Sequence, residues 1–325
     1  MQEVNNIHQD QLRNMKKILL YTWMLVVGAT SLTSCSEDDL SPVSVITSPQ
    51  TSQNDFDKWL EKNFVLPYNI DFKYRLDDNE LDMNYYQVPA SYESAIIMAH
   101  VLKYACVEVY NEVAGIEFTR RYFPKMFVLS GEWEYRNNGT YILGTAEGGK
   151  KIFLAGADYL PSVIRGEAGY RQFSFVSSDP LTNMNYYFFK TIHHEFTHIL
   201  NQTKNYSEDF QLITGSLYVA DSWSEAPNNV DYLKRGFISS YAQHSHQEDF
   251  AEMLSLYVTS NEAQWQKWMT EAGTSGAQLL EDKLEIVRDY MQNEWNVDID
   301  QLRSSILSRE EDVINGDVDL LDLSL

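Results

Sequence analysis

His194 and His198 stand four residues apart and bracket Glu195 in the run His193-His194-Glu195-Phe196-Thr197-His198. On an α-helix, side chains at i and i+4 share a face, so both imidazoles can reach one metal ion. Glu195, next to the first histidine, can then take a proton from a water that the metal activates. This HExxH pattern points to metal-assisted hydrolysis. His193 lies about 100° around the helix from His194 and cannot share that face. It reads as a packing or hydrogen-bonding residue.

A hydrolytic zinc takes three protein ligands and keeps one position for water. The third donor must come from elsewhere, and the segment Tyr241 to Glu252 offers it. Residues 248–258 read as a helix, with Phe250, Met253, Leu254 and Tyr257 on one apolar stripe. Glu248 and Glu252 lie one turn apart on one face, and Asp249 points elsewhere. Glu248 is the candidate ligand. Glu252 is the candidate for holding the free ring N–H of a ligand histidine. His244 and His246 are alternative third ligands, and an acidic first turn also suits the helix dipole with no metal at all. Two imidazoles and a carboxylate favour zinc, although manganese or iron can use the same set.

These motifs resemble those of known peptidases. His194-Glu195-Phe196-Thr197-His198, followed by Tyr241-x6-Glu248-x-Phe250-Ala251-Glu252, is similar to the zinc metallopeptidases of the anthrax lethal factor type and to the clostridial Pro-Pro endopeptidases. That resemblance implies that Glu248 binds zinc and that Tyr241 donates a hydrogen bond to the tetrahedral intermediate. The whole-chain pattern resembles zinc-binding metallopeptidase lipoproteins of Bacteroidetes associated with SusC/SusD-type substrate import loci. It implies zinc hydrolase chemistry without naming a substrate.

The elements that would position these residues follow from periodicity. Phe188, Ile192, Phe196 and Ile199 recur at helical spacing, and no Pro or Gly interrupts residues 182–202. Residues 91–114 read as a long helix with Ser91 as N-cap. Residues 127–129, 141–143 and 151–156 read as strands, with a hairpin at Gly148-Gly149. Residues 237–241 read as a strand or extended turn, and 276–297 and 299–309 as helices. Trp223 is a packing residue or part of a specificity pocket. The expected architecture is an α+β, zincin-like fold with a small mixed sheet packed on the HExxH helix and a mainly helical C-terminal lobe. In that fold an edge strand binds extended substrate by main-chain pairing. Residues 151–156 are the candidate edge, with an ordinary core strand as the alternative. The catalytic domain is expected over residues 55–325, with lobes at about 55–202 and 203–325.

Residues 1–34 read as a leader. Met15-Lys16-Lys17 precedes an apolar run from Ile18 to Val27, too short to span a bilayer, and Leu32-Thr33-Ser34-Cys35 follows. The ending resembles a lipobox with Cys35 as the lipidated residue, and Met15 is an alternative start. Ser36-Glu37-Asp38-Asp39 resembles the surface-export signal of Bacteroidetes lipoproteins. The expected location is therefore the outer membrane, exposed at the cell surface or facing the periplasm. Residues up to 54 are rich in Ser, Thr, Pro, Asn and Gln and read as a flexible tether. The second cysteine, Cys106, falls in an apolar helical run. With Cys35 lipidated, no intrachain disulfide forms.

Net charge is −22, a balance that excludes nucleic acid as a partner and disfavours broad contact with anionic lipid. The expected partners are a peptide or glycoprotein substrate, the membrane through the lipid at Cys35, and a SusC/SusD-type import complex. Two rival readings keep the same residues. One is a glycan- or peptide-binding lipoprotein with an inactive metal site, and the other is a zinc amidase acting on a non-peptide bond.

Overall fold

Phe127-Val128-Leu129 and Ile152-Phe153-Leu154 are unbroken apolar triplets, the pattern of strands covered on both faces. A computed structural model describes residues 15–16, 53–76, 85–135, 141–147, 150–167 and 176–325. In it these triplets form the two central strands of a four-stranded sheet. The chain divides into two units, residues 1–52 and 53–325, and the second holds every element below. All of the leader except residues 15–16, together with Cys35 and nearly all of the tether, lies outside the described residues.

Strands β1 (Asp71–Lys73), β2 (Met126–Leu129), β5 (Gly144–Glu147) and β6 (Lys151–Leu154) pair in the order β1-β2-β6-β5. The β1–β2 and β2–β6 ladders are parallel, with Phe72 opposite Phe127 and Phe127 opposite Ile152. β5 is antiparallel to β6, with Thr145 opposite Phe153. β3 (Glu134–Tyr135) and β4 (Tyr141–Ile142) make a separate two-stranded ladder. Residues 151–156 are therefore not the edge. β6 is flanked on both sides, and among the described residues no strand pairs with the outer side of β5. Its small and polar residues, Gly144 to Glu147, gave little strand signal. Gly144 is required there, because a Cβ would stand 2.7 Å from the Phe153 carbonyl oxygen and 2.9 Å from Thr191. The turn residues 148–149 lie outside the described residues.

The helices of the N-terminal half are α1 (Asp55–Leu60), α2 (Tyr92–Leu102), α3 (Glu108–Ala114), α4 (Ile116–Tyr122) and α5 (Leu160–Ile164). Ser91 caps α2, its hydroxyl accepting from the Ser94 N–H at 3.2 Å. A π turn, Lys103–Val107, joins α2 to α3 without a break, and Cys106 is fully buried within it. Gly115, at φ 87°, ends the run.

The HExxH segment begins at α6 (Pro180–Met184), capped by Asp179. It passes through a second π turn, Asn185–Phe189, into α7 (Lys190–Thr203). The π turn lets three successive aromatics, Tyr187, Phe188 and Phe189, all be buried. Farther along α7, Phe196 packs at centroid distances of 4.9 Å from Tyr110 and 5.0 Å from Phe123. This fixes the rotation of α7 and hence the direction of its histidines.

The C-terminal half adds α8 (Asp209–Ile213), α9 (His246–Val258), α10 (Glu262–Trp295) and α11 (Ile299–Asn315). α10 starts earlier than its Leu/Ile spacing suggests, and Gly273 breaks it locally at φ 66°, ψ 177°. At Gly276, close by, a Cβ would meet the Leu233 carbonyl at 2.4 Å, so only glycine permits this approach. Residues 237–241 form no strand. Gly236, at φ 82°, closes a 3₁₀ turn (Leu233–Arg235), and Phe237 N bonds back to Tyr232 O at 3.1 Å. The chain then enters another 3₁₀ turn, Tyr241–Gln243.

Glu310 on α11 ties this half to the active-site helix. It is fully buried, accepts a hydrogen bond from Asn185 Nδ2 at 2.7 Å, and has no cation partner among the described residues. Burial pushes its carboxyl up to about 8, with the Asn185 bond opposing weakly. The folded state thus holds a proton that the unfolded chain releases near pH 4.5. Stability from this group is full below that pH and is lost as pH rises through 8. Glu310→Gln is expected to raise stability by roughly 5 kcal/mol at pH 9 and to leave it little changed at pH 4. Urea unfolding at the two pH values measures this.

Candidate metal centre

α7 and α9 pack against each other, and their facing turns bring three donor atoms together. His194 Nε2 lies 3.1 Å from His198 Nε2 and 3.0 Å from Glu248 Oε2. His198 Nε2 lies 3.3 Å from the same oxygen. Around a tetrahedral zinc with bonds of 2.0–2.2 Å, ligand atoms stand about 3.3–3.5 Å apart. The triangle therefore fits zinc after an opening of a few tenths of an ångström. A single proton can bridge only one of its edges, whereas a cation satisfies all three lone pairs.

The local folding of each helix explains the alignment. Ser245 caps α9, its hydroxyl accepting from Glu248 N at 3.3 Å, which places Glu248 in the first turn. Phe250, Met253 and Leu254 are buried on the same helix and fix its rotation. His194 is buried, while His198 and Glu248 are each 19% exposed at the side chain and open to solvent.

Electrostatics around the triangle favour a cation. Burial opposes charge on His194, but Glu248 and Glu252 outweigh it and raise the imidazole to about 9. Burial alone would raise Glu248, yet the two histidines bring it well below the usual carboxylate range. Glu252 is buried too, and Lys190 and His194 overcome that cost and hold it ionised.

Glu252 sits behind the triangle. Its Oε1 is 2.8 Å from His194 Nδ1 and accepts from Lys190 Nζ at 2.7 Å. Its Oε2 accepts from the Ser239 hydroxyl at 2.7 Å. A carboxylate at Nδ1 keeps the proton on that nitrogen and leaves Nε2 free to bind a metal. Lys190 and Ser239 were missed in the sequence. Lys190 did leave a signal, as the one Lys or Arg between residues 182 and 203, placed one helical turn before His194.

The other histidines are engaged elsewhere. His193 Nδ1 shares a 3.0 Å hydrogen bond with the Tyr110 hydroxyl, and burial lowers it to about 3. His246 Nδ1 is 2.7 Å from the Tyr206 hydroxyl. His244 Nε2 is 3.3 Å from Asp221, and its ring stacks on Tyr241. Neither His244 nor His246 joins the triangle.

Tyr241 stands over the site, its ring centroid 6.1 Å from that of His194. Trp223 meets it edge-on at 5.1 Å, so Trp223 packs against the candidate oxyanion donor. Burial and the neighbouring Glu248 raise the Tyr241 hydroxyl, which stays protonated and able to donate. Burial also raises Glu195, the carboxyl on the open side of α7. Glu195, His198, Tyr241 and Glu248 line one cleft of about 1030 Å³, with Gly144 and Thr145 of the β5 edge along its rim.

A family model described as "Putative zinc-binding metallo-peptidase" matches residues 48–300. The chain belongs to this zinc-binding metallo-peptidase family. The match contains every residue of the triangle, Glu195, Tyr241 and Glu252. A solved structure titled "Crystal structure of a putative zinc-binding metallo-peptidase", from Bacteroides caccae ATCC 43185, is 34% identical. The similarity covers 86% of this chain and 100% of that one, with a TM-score of 0.68. Comparison with curated proteins finds no match. For a member of this family, the donor set His194, His198 and Glu248 is the cluster of three metal-ligating side chains found among the described residues.

Proposed function

We propose that this metallo-peptidase family member is an endopeptidase of the zincin type, in its HExxH-plus-Glu branch, that holds one zinc through His194, His198 and Glu248. The carrying observation is the convergence of three donor atoms within 3.0–3.3 Å beside Glu195, in an open cleft. Bound zinc would act there as a Lewis acid toward water and the scissile carbonyl.

The protein's own groups divide the remaining work. Extended substrate lies along the β5 edge, pairing with main-chain groups that no neighbouring strand uses. Glu195 accepts the proton of the attacking water and delivers it to the leaving amine. Tyr241, kept protonated and braced by Trp223 and His244, donates to the oxygen that becomes negative on the scissile carbonyl. Glu252 holds the His194 ring in one tautomer, and Lys190 and Ser239 hold Glu252. In this reading Cys35 carries lipid and tethers the catalytic unit to the outer membrane at the cell surface, beside a SusC/SusD-type import complex. The resemblance of the leader supports that placement.

Metal analysis of the purified protein tests the first step without a known substrate. One zinc per chain is expected, and Glu248→Ala should weaken zinc binding by at least about 100-fold. Cleavage of a random peptide library by the zinc-loaded protein tests the second. Metal-free wild-type protein, or zinc-loaded protein that cleaves neither unmodified nor glycosylated peptides, would sink the endopeptidase reading.

A further inference from the structure

The cleft wall beyond His198 has an unusual composition. Asn201 and Gln202 on the last turn of α7, Asn205 just after it, Gln211 on α8 and Gln247 on the first turn of α9 all line the cleft. Among the described residues, none of these five carboxamides has a side-chain hydrogen-bond partner in the protein. At Asn201 both Oδ1 and Nδ2 are shielded and unpartnered. Gln202, Asn205 and Gln247 are exposed and Gln211 is half-buried, so these four amides stand open to a ligand.

We propose that this wall is a subsite for an uncharged, polyhydroxylated substituent, so that the substrate is a peptide carrying a neutral sugar near the scissile bond. The proposal rests on the endopeptidase reading and specifies its substrate class. Each carboxamide presents a donor and an acceptor, as each sugar hydroxyl does, so the two surfaces match at several points at once. No Lys or Arg is among the described lining residues, and Glu195, Glu208 and Glu248 are, so an anionic substituent is disfavoured. Ile142 is the one aliphatic side chain in the lining, so a large apolar side chain would leave the amides without partners. The volume of about 1030 Å³ is at the top of the range for pockets that enclose a whole small-molecule ligand. The five amides are spread over two helices, a loop and the start of a third.

The test uses the full chain as Glu195→Gln, loaded with zinc, and two peptide libraries centred on threonine. One library carries a single O-linked N-acetylgalactosamine on that threonine, and the other is unmodified. Retention of the glycosylated library at least about tenfold above the unmodified one is expected. Adding Asn205→Leu and Gln211→Leu together should reduce that ratio to near one while zinc content stays unchanged, and Gln211→Leu alone should give an intermediate ratio. Equal retention of the libraries, retention of neither, or an unchanged ratio in the leucine variants overturns the proposal. Glycopeptide retention with no cleavage by the zinc-loaded wild type leaves the subsite standing and sinks the endopeptidase reading instead.

Discussion

Glu195→Gln is expected to keep its zinc and to lose turnover by about 10²- to 10⁴-fold. The two halves of this expectation come from different parts of the site. Zinc stays because Glu195 contributes no atom to the triangle of His194, His198 and Glu248, and glutamine fills the same volume on the same turn of α7. Turnover falls because a carboxamide cannot accept the proton of the attacking water or return one to the amine. Substrate affinity should change little, since Glu195 supplies one small part of a large cleft. Steady-state kinetics on a peptide found in the library screen, with metal content measured on the same sample, separate these effects. A glutamine variant with normal kcat would remove Glu195 from the chemistry.

The second large effect lies behind the site. Lys283 on α10 and Asp249 on α9 are both fully buried, with Nζ 2.5 Å from Oδ2. The ammonium also donates to the Gly236 carbonyl at 2.7 Å and stands 4.2 Å from the centre of the Phe237 ring. The Tyr218 hydroxyl donates to the same Asp249 oxygen at 2.8 Å. Burial raises Asp249 to about 6, and Lys283 and the Tyr218 hydroxyl oppose that rise. Lys283→Met should therefore destabilise the fold by about 3–5 kcal/mol, because it strands a charge in the interior. The double variant Asp249→Asn, Lys283→Met should recover much of that loss, since the uncompensated charge is then gone. Urea unfolding of the wild type and the two variants at pH 7 reads both numbers. A single variant within 1 kcal/mol of wild type, taken here as roughly the limit for an ordinary surface change, would contradict the picture.

The metal-binding face of α7 was legible because helical spacing alone aligns His194 with His198, and no distant contact is needed. The pairing of α9 with α7 was legible only as a chemical need for a third donor, and Glu248 stood where the motif placed it. What escaped depends on the third dimension. The role of Lys190 depends on a carboxylate 62 residues away along the chain. The strand at 151–156 had stronger apolar character than Gly144 to Glu147, and that same character made it central and left the weaker segment at the edge. In α10 the Leu/Ile spacing marked only residues 276–297 as helix. The backbone does depart from helical geometry at Gly273, but α10 extends on both sides of it. Residues 237–241 read as a strand or extended turn, yet among the described residues no strand pairs with them, and Phe237 and Ile238 fill the core instead.

The candidate metal donors come from two helices about 50 residues apart, and this sets a timetable. While the chain is being made, the two imidazoles of α7 exist before the carboxylate of α9 does. Until both helices have met, the chain offers an ion only the loose grip of an ordinary surface histidine pair. Full affinity comes with completion of the core, so metal enters a finished scaffold and then resists its reopening. Scarcity of zinc would thus shorten the working life of the whole catalytic unit as well as idle its chemistry.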